Sequence, residues 1–138
     1  MSDPRQNIAF VQSLYQAFAR RDIPSILAVL SSAVEWGEPA NPYNPAGGTR
    51  HGHEGFLEWL RVGNESEEVL MLEPKEFLAN LSSVAVVGYT KCRVRATGKV
   101  YETDFVHLIA LKDGKVQRFR EFFDTFAAAE AFREASAA

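Results

Sequence analysis

The chain has 138 residues, a formal net charge of −3, 46% hydrophobic residues and 24% charged residues. This composition is typical of one globular domain and predicts that residues 1–138 form a single domain. The acidic balance and scattered basic residues argue against a nucleic-acid or membrane partner. The single cysteine, Cys92, excludes an intrachain disulfide, and no apolar run is long enough to cross a bilayer, so we expect a cytoplasmic protein.

The first part of the chain follows the helical period. Ser2 or Asp3 can cap a first helix with Pro4 in its first turn, and Asp22 precedes a short second helix over 24–30. The first helix carries an apolar stripe of Ile8, Val11, Leu14, Tyr15 and Phe18. A short strand at 34–38, a loop at 39–52 rich in proline and glycine, and a third helix at 53–62 follow.

The second part of the chain changes to the strand period. Four strands are predicted over 69–80, 84–95, 99–112 and 115–124, with turns at 81–83, 96–98 and 112–114 and a last helix at 126–134. Helices followed by an antiparallel meander predict an α+β fold. Residues 105–111 are apolar on both faces of the strand. A second copy of the chain is the economical cover for the outer face, so we expect a homodimer through the sheet.

The last hairpin holds the most suggestive pair of side chains, His107 and Glu121. A three-residue turn that pairs Leu111 with Lys115 would place both on one face, as diagonal neighbours with their Cβ atoms about 7–8 Å apart. A two-residue turn at Asp113-Gly114 would set His107 beside Arg120 and send Glu121 to the other face. Both turns remain open at this stage. The alternatives are purely structural roles: His107 would be a core histidine, and Glu121 would form an ion pair with Arg93 or Arg95.

Several other residues could contribute to a site. Glu38 ends the first strand, where it is either a solvated strand end or an acid beside a pocket. Aromatic side chains could form core or the wall of a substrate pocket: Tyr15, Trp36, Phe56, Trp59, Phe105 and Phe119. His51 and His53 lack a third ligand, so no metal site is predicted, and Asp124 is expected to cap the last helix.

Three segments resemble the nuclear transport factor 2-like superfamily, within it the SnoaL-like group related to ketosteroid isomerases. They are residues 14–23, residues 34–36 with 50–55, and residues 113–124. The resemblance implies a cone-shaped α+β barrel in which N-terminal helices pack on a strongly bent antiparallel sheet. It spans nearly the whole chain, and one fold of this kind hosts many functions.

The resemblance also implies roles for three residues. SnoaL-like polyketide cyclases carry a His and an Asp seven residues before and after the glycine of the last turn, which matches His107 and, with a longer side chain, Glu121. The pair Glu38-Pro39 resembles the acid of ketosteroid isomerases. The Arg and Asp of limonene-epoxide hydrolases have no match near residues 88–90.

These observations favour a cofactor-independent enzyme that moves a proton next to a carbonyl group of a small hydrophobic molecule. Glu121 or Glu38 would be the base, and His107, with Tyr15, would stabilise the enolate oxygen. The alternatives are a module that binds a small ligand without chemistry and a dimeric scaffold.

Overall fold

The computed structural model describes residues 3–134 and has an α+β architecture. Its helices are α1 (Pro4–Ala19), α2 (Ile23–Ala28), α3 (Gly52–Ser66) and α4 (Thr125–Phe132). Its strands are β1 (Leu30–Glu38), β2 (Gly48–His51), β3 (Glu67–Ala79), β4 (Ser83–Val94), β5 (Val100–Lys112) and β6 (Lys115–Phe123). The predicted fold class is confirmed, and so is the meander of four strands in the second half of the chain.

The six strands form one sheet in the order β2-β1-β6-β5-β4-β3. Every neighbouring pair is antiparallel except β1 and β6, which run parallel. The mainly antiparallel sheet therefore contains one parallel pair. The physical reason is that β1 reaches β6 through a connection that contains most of the chain, so no tight hairpin turn fixes their direction.

Two predicted boundaries were wrong in the region that leads to the site. The second helix ends at Ala28, and Leu30 begins β1, where it is fully buried and pairs with Val116. The predicted loop at 39–52 contains β2, in which Arg50 pairs with Trp36. In both cases the strand forms by pairing with residues that are distant in sequence, and a local sequence pattern does not show such pairing.

The helix ends agree with the expected capping residues. The Asp3 side chain accepts a hydrogen bond from the Arg5 amide at 2.7 Å, whereas the other candidate cap, Ser2, lies outside the described residues. Asp124 caps α4 by accepting from the Ala127 amide at 3.0 Å, as predicted. These bonds satisfy amide groups that have no partner within the helix.

The main core lies between the helices and one face of the sheet, called here the concave face. Val11 and Leu14 of α1 are buried against strand residues that include Val84, Phe105 and Ile109. A smaller cluster, in which α4 packs its Ala128 and Ala131 against the far end of β4 and β5, extends this face. The opposite face of the sheet is called the convex face.

Direct pairing places the concave residues of neighbouring strands in rows. One row runs from Glu121 on β6 through His107 on β5 to Val86 on β4 and Phe77 on β3. The curled sheet and the helices thus surround a mixture of aromatic rings and acidic groups. Within residues 3–134, no helix is both long and apolar enough to cross a membrane.

Gly88 lies on the concave face directly opposite Phe105. A Cβ at this position would be 2.4 Å from both the Glu73 carbonyl oxygen and Cζ of Phe105. We expect Gly88→Ala to lower the free energy of unfolding by about 1–3 kcal/mol in urea titrations, because neither backbone nor ring can move freely. The matched control is Gly63→Ala in α3, where nothing lies within 4 Å of the added carbon. There we expect stabilisation of about 0.5–1 kcal/mol, and equal effects at the two positions would contradict the argument.

Candidate functional site

The turn of the last hairpin determines whether His107 and Glu121 share a face of the sheet. Its turn is the two-residue Asp113-Gly114 type, with φ values of 53° and 73° and Lys112 paired with Lys115. Of the two turns that the sequence left open, the two-residue turn therefore forms. A β-bulge at Gln117 then adds one residue to β6, so that Ala110 pairs with Arg118 and His107 pairs directly with Glu121. The two side chains therefore share the concave face.

His107 and Glu121 are bonded to one another. The His107 Nε2 to Glu121 Oε2 distance is 2.6 Å, so the expectation of diagonal neighbours too far apart for direct contact was wrong. The other ring nitrogen, Nδ1, lies 2.5 Å from the Tyr15 hydroxyl oxygen. Three elements, α1, β5 and β6, thus contribute to one hydrogen-bonded chain, called here the Tyr15–His107–Glu121 chain.

Two proton arrangements fit these distances. In the first, Nε2 donates to Glu121 and the Tyr15 hydroxyl donates to Nδ1. In the second, both ring nitrogens donate, and the Tyr15 hydroxyl hydrogen is free for another acceptor. Burial, followed by the negative charge of Glu121, raises the pKa of Tyr15, so its hydroxyl keeps the proton and remains a donor.

Aromatic rings enclose the His107 imidazole. The Phe105 ring is stacked on it at 4.1 Å between centroids, and the Phe119 ring is tilted at 4.8 Å. Phe119 in turn is stacked on Trp36 at 4.0 Å. Among the six aromatic residues predicted to line a pocket, four are buried in the core, namely Trp36, Phe56, Phe105 and Phe119. Tyr15 and Trp59 are only partly buried.

Glu38 lies beside Glu121, because each directly follows the last pair of β1 and β6, Gly37 with Arg120. Asn44 Nδ2 donates to its Oε1 at 2.8 Å, and Trp59 Nε1 donates to its Oε2 at 2.9 Å. Burial, followed by the charge of Glu121, raises the pKa of Glu38 to about 8. The alternative of a solvated strand end is therefore wrong.

The structural alternative for Glu121, an ion pair with Arg93 or Arg95, is also contradicted. The Arg93 guanidinium is 3.7 Å from Glu68, and Arg95 Nε donates to the Asn64 carbonyl at 2.9 Å. Neither arginine pairs with Glu121, whose recorded partner is His107. His53 Nε2 lies 2.9 Å from the Leu30 carbonyl, and residues 3–134 hold no cluster of three or more metal-ligating side chains.

Two contributors were not predicted from the sequence. Asn44 is buried in the loop after β1, where its side chain also accepts a hydrogen bond from the Ala46 amide at 3.0 Å. Glu67, at the start of β3, accepts from the Tyr101 hydroxyl at 2.7 Å. An Asn followed by Pro in a loop was a usable turn signal for Asn44. Glu67 had no comparable local signal.

Cys92 is buried on β4. Burial, together with the charge of Glu67, raises the pKa of the Cys92 thiol to about 11. A thiol with this pKa is not an activated nucleophile at neutral pH. The acidic groups and Tyr15 are therefore the side chains of this site that can take part in a reaction.

Comparisons with known proteins agree with this architecture. The model of the SnoaL-like domain family matches residues 11–119. A crystal structure of an NTF2-like protein from Burkholderia xenovorans is 33% identical and has a TM-score of 0.89, with 96% of this chain and 100% of that one covered. An NTF2-like protein from Burkholderia pseudomallei is 29% identical, with a TM-score of 0.81 and coverage of 91% and 96%.

A third similar structure was determined with a small molecule. TerC, co-crystallised with polyporic acid, is 33% identical to this chain, has a TM-score of 0.77, and is matched over 91% of this chain and 97% of its own. Among curated proteins, no match was found.

The raised pKa of Glu38 can be measured directly by ¹³C NMR of carboxyl-labelled glutamate. We expect a midpoint of about 8 in the unaltered protein and a midpoint lower by about one pH unit in Glu121→Gln, because the neighbouring negative charge is removed. Glu35→Gln is the matched control, since Glu35 lies on the same strand but pairs with Arg118 at 3.4 Å on the convex face. A Glu38 midpoint near 4.5 in the unaltered protein would contradict the geometry.

Proposed function

The chain belongs to the SnoaL-like family, and on that premise we propose that it transfers a proton next to the carbonyl group of a small hydrophobic compound. The observation that carries the proposal is Glu38, whose pKa of about 8 comes from burial beside Glu121. A carboxylate with a raised pKa is a stronger base than usual, and near neutral pH a useful fraction of it is ionised.

The proposed roles follow from which groups can still form a hydrogen bond with a ligand. Both nitrogens of His107 are engaged, so His107 supports the site by holding Tyr15 rather than by touching the ligand. Tyr15 keeps its proton, and in the arrangement in which both ring nitrogens of His107 donate, its hydroxyl is free to donate to a carbonyl oxygen. Glu121 orients His107 and raises the basicity of Glu38.

The proposed reaction breaks a C–H bond beside the carbonyl carbon. The proton moves to a carboxylate oxygen of Glu38, and the electron pair forms an enolate whose oxygen accepts a hydrogen bond from Tyr15. Where a carbon–carbon double bond adjoins the deprotonated carbon, the intermediate is a dienolate, and return of the proton from Glu38 to its far carbon completes an isomerisation. Where no such bond is present, the proton on Glu38 exchanges with solvent and returns to the same carbon, which gives isotope exchange. The steps need no cofactor.

A second candidate is a binding module without chemistry. Both Glu38 oxygens already accept hydrogen bonds, and four of the six predicted pocket aromatics are buried in the core. The co-crystallisation of TerC with polyporic acid supports small-molecule binding in a protein of this fold, and it fits this second candidate as well as the first.

Deuterium exchange into 2-tetralone, followed by proton NMR in D₂O, separates the two candidates. We expect the protein to accelerate exchange at the carbons next to the carbonyl, and Glu38→Gln to reduce the rate by about 10²–10⁴-fold because the base is lost. Tyr15→Phe should slow exchange as well, while Glu35→Gln should have no effect. Reversible binding of 2-tetralone without exchange above the buffer rate would favour the binding module.

We also propose that two copies associate through the convex face. Within residues 3–134 no helix covers this face, and its apolar residues include Met71, Leu78, Val87, Val106, Leu108 and Phe122. Arg120 lies on the same face with its guanidinium 5.5 Å from the Phe122 ring centre. Its buried Nε has no acceptor among the described residues. A second copy would cover the apolar surface and could supply that acceptor.

Sedimentation equilibrium tests the dimer with two substitutions of the same chemistry. We expect Leu108→Asp to produce a monomer, because it places a charge in the centre of the convex face. Leu81→Asp is the control, since Leu81 is 68% exposed in the turn between β3 and β4, away from that face. A monomeric unaltered protein at about 100 μM would contradict the proposal, since a standard interface binds more tightly than that.

A further inference from the structure

Glu67 is a partly buried acid that the proposed reaction does not use. It opens β3 opposite the buried Val94, which places it on the concave face. Its recorded hydrogen-bond partner is the Tyr101 hydroxyl, at 2.7 Å. Placing a carboxylate there is costly, because no cation pairs with it among its recorded contacts.

Glu67 shares its surroundings with Glu121 and Glu38. Burial raises its pKa, and the negative charge of Glu121 raises it further. Glu67 in turn contributes to the raised pKa of Glu38. The strand pairing places all three carboxyl groups on the concave face, although β5 and β4 lie between the strands of Glu121 and Glu67.

The concave face offers little positive charge to balance these acids. Arg50 is the one arginine or lysine on that face of the described strands. Its guanidinium donates to the carbonyls of Ala46 at 2.8 Å and Pro45 at 3.1 Å, away from the three acids. A ligand that brought its own negative charge would therefore meet carboxylates without a compensating cation.

The surface beside Glu67 is open and apolar. Val69 and Leu72 pair with Cys92 and Thr90, which places both on the concave face, yet they are 58% and 43% exposed. Exposed apolar residues on an otherwise buried face are typical of the rim of a binding site. A ligand whose carbonyl lies at Tyr15 and Glu38 could extend its far end towards this rim.

We propose that Glu67 determines specificity at the far end of the ligand, where it accepts a hydrogen bond from a hydroxyl or ammonium group and rejects a carboxylate. The proposal rests on the proposed function, because it assumes that the carbonyl end lies at Tyr15 and Glu38. It names the substrate class as a hydrophobic carbonyl compound that is neutral or cationic and carries a donor away from the carbonyl.

Three bicyclic ketones test this specificity: 2-tetralone, 6-hydroxy-2-tetralone and 6-carboxy-2-tetralone. Dissociation constants at pH 7 come from NMR titration of the labelled protein. We expect the hydroxy compound to bind more tightly than 2-tetralone by about threefold or more, and the carboxy compound to bind about tenfold more weakly, as uncompensated like charges require. Equal affinities for 2-tetralone and the carboxy compound would overturn the inference.

A matched pair of variants assigns the effect to one residue. Glu67→Gln removes the charge and should bring the carboxy compound to within about twofold of 2-tetralone. Glu68→Gln should leave the tenfold ratio unchanged, because Glu68 is the next residue along β3 but pairs with Arg93 on the convex face. An unchanged ratio in a folded Glu67→Gln would overturn the inference.

A second readout uses the unaltered protein and does not depend on the folding of a variant. With carboxyl-labelled glutamate, the Glu67 resonance should shift when the hydroxy compound binds and should stay in place when 2-tetralone binds. A Glu67 resonance that shifts with neither compound would overturn the inference, whereas the proposed proton transfer would be unaffected. Failure of all three ketones to bind would overturn the proposed function, and the specificity with it.

Discussion

β-Bulges decide which carboxyl groups face the interior at two places in this fold. In β6 the extra residue is Gln117, and without it the Asp113-Gly114 turn would place Arg120 opposite His107. β3 has two extra residues, Leu70 and Lys75, and without Leu70 the alternation from Leu72 would send Glu68 rather than Glu67 inward. Because the side-chain period of a strand is two, a single inserted residue exchanges the two faces for the rest of the strand.

The acids that face the interior are retained at an energetic cost. Glu121 offsets its cost by bonding His107, which in turn is bonded to Tyr15. Glu38 receives one hydrogen bond on each oxygen, from Asn44 and Trp59, yet its pKa remains raised. The two hydrogen bonds thus offset only part of the free-energy cost of burying the ionised Glu38 carboxylate. Groups that are held this way are good candidates for chemistry.

The sequence predicted the elements that depend on local pattern and missed those that depend on distant partners. Alternation predicted β3 to β6, and Asp124 was correctly identified as a cap. The parallel pairing of β1 with β6 had no local signal, because Leu30 and Val116 are brought together by the whole fold. A shared face for His107 and Glu121 was expected only with a three-residue turn, whereas the structure reaches it with a two-residue turn and a bulge. Neither Gln117 nor Leu70 belongs to the residue types that commonly mark a bulge.

The same burial that suits Glu38 to its proposed role makes the fold sensitive to pH. An acid whose pKa is about 8 when folded and about 4.5 when unfolded binds more protons in the folded state between those values. Stability from this group is therefore complete below about pH 4.5 and falls as the pH rises towards 8, by up to about 1.4 kcal/mol per pH unit. Glutamine would avoid this penalty, but its NH₂ group would face the donor of either Asn44 or Trp59, so one of the two hydrogen bonds would be lost. An acid at position 38 keeps both bonds, and the raised pKa that it acquires beside Glu121 also gives it the basicity that a proton-transferring site requires.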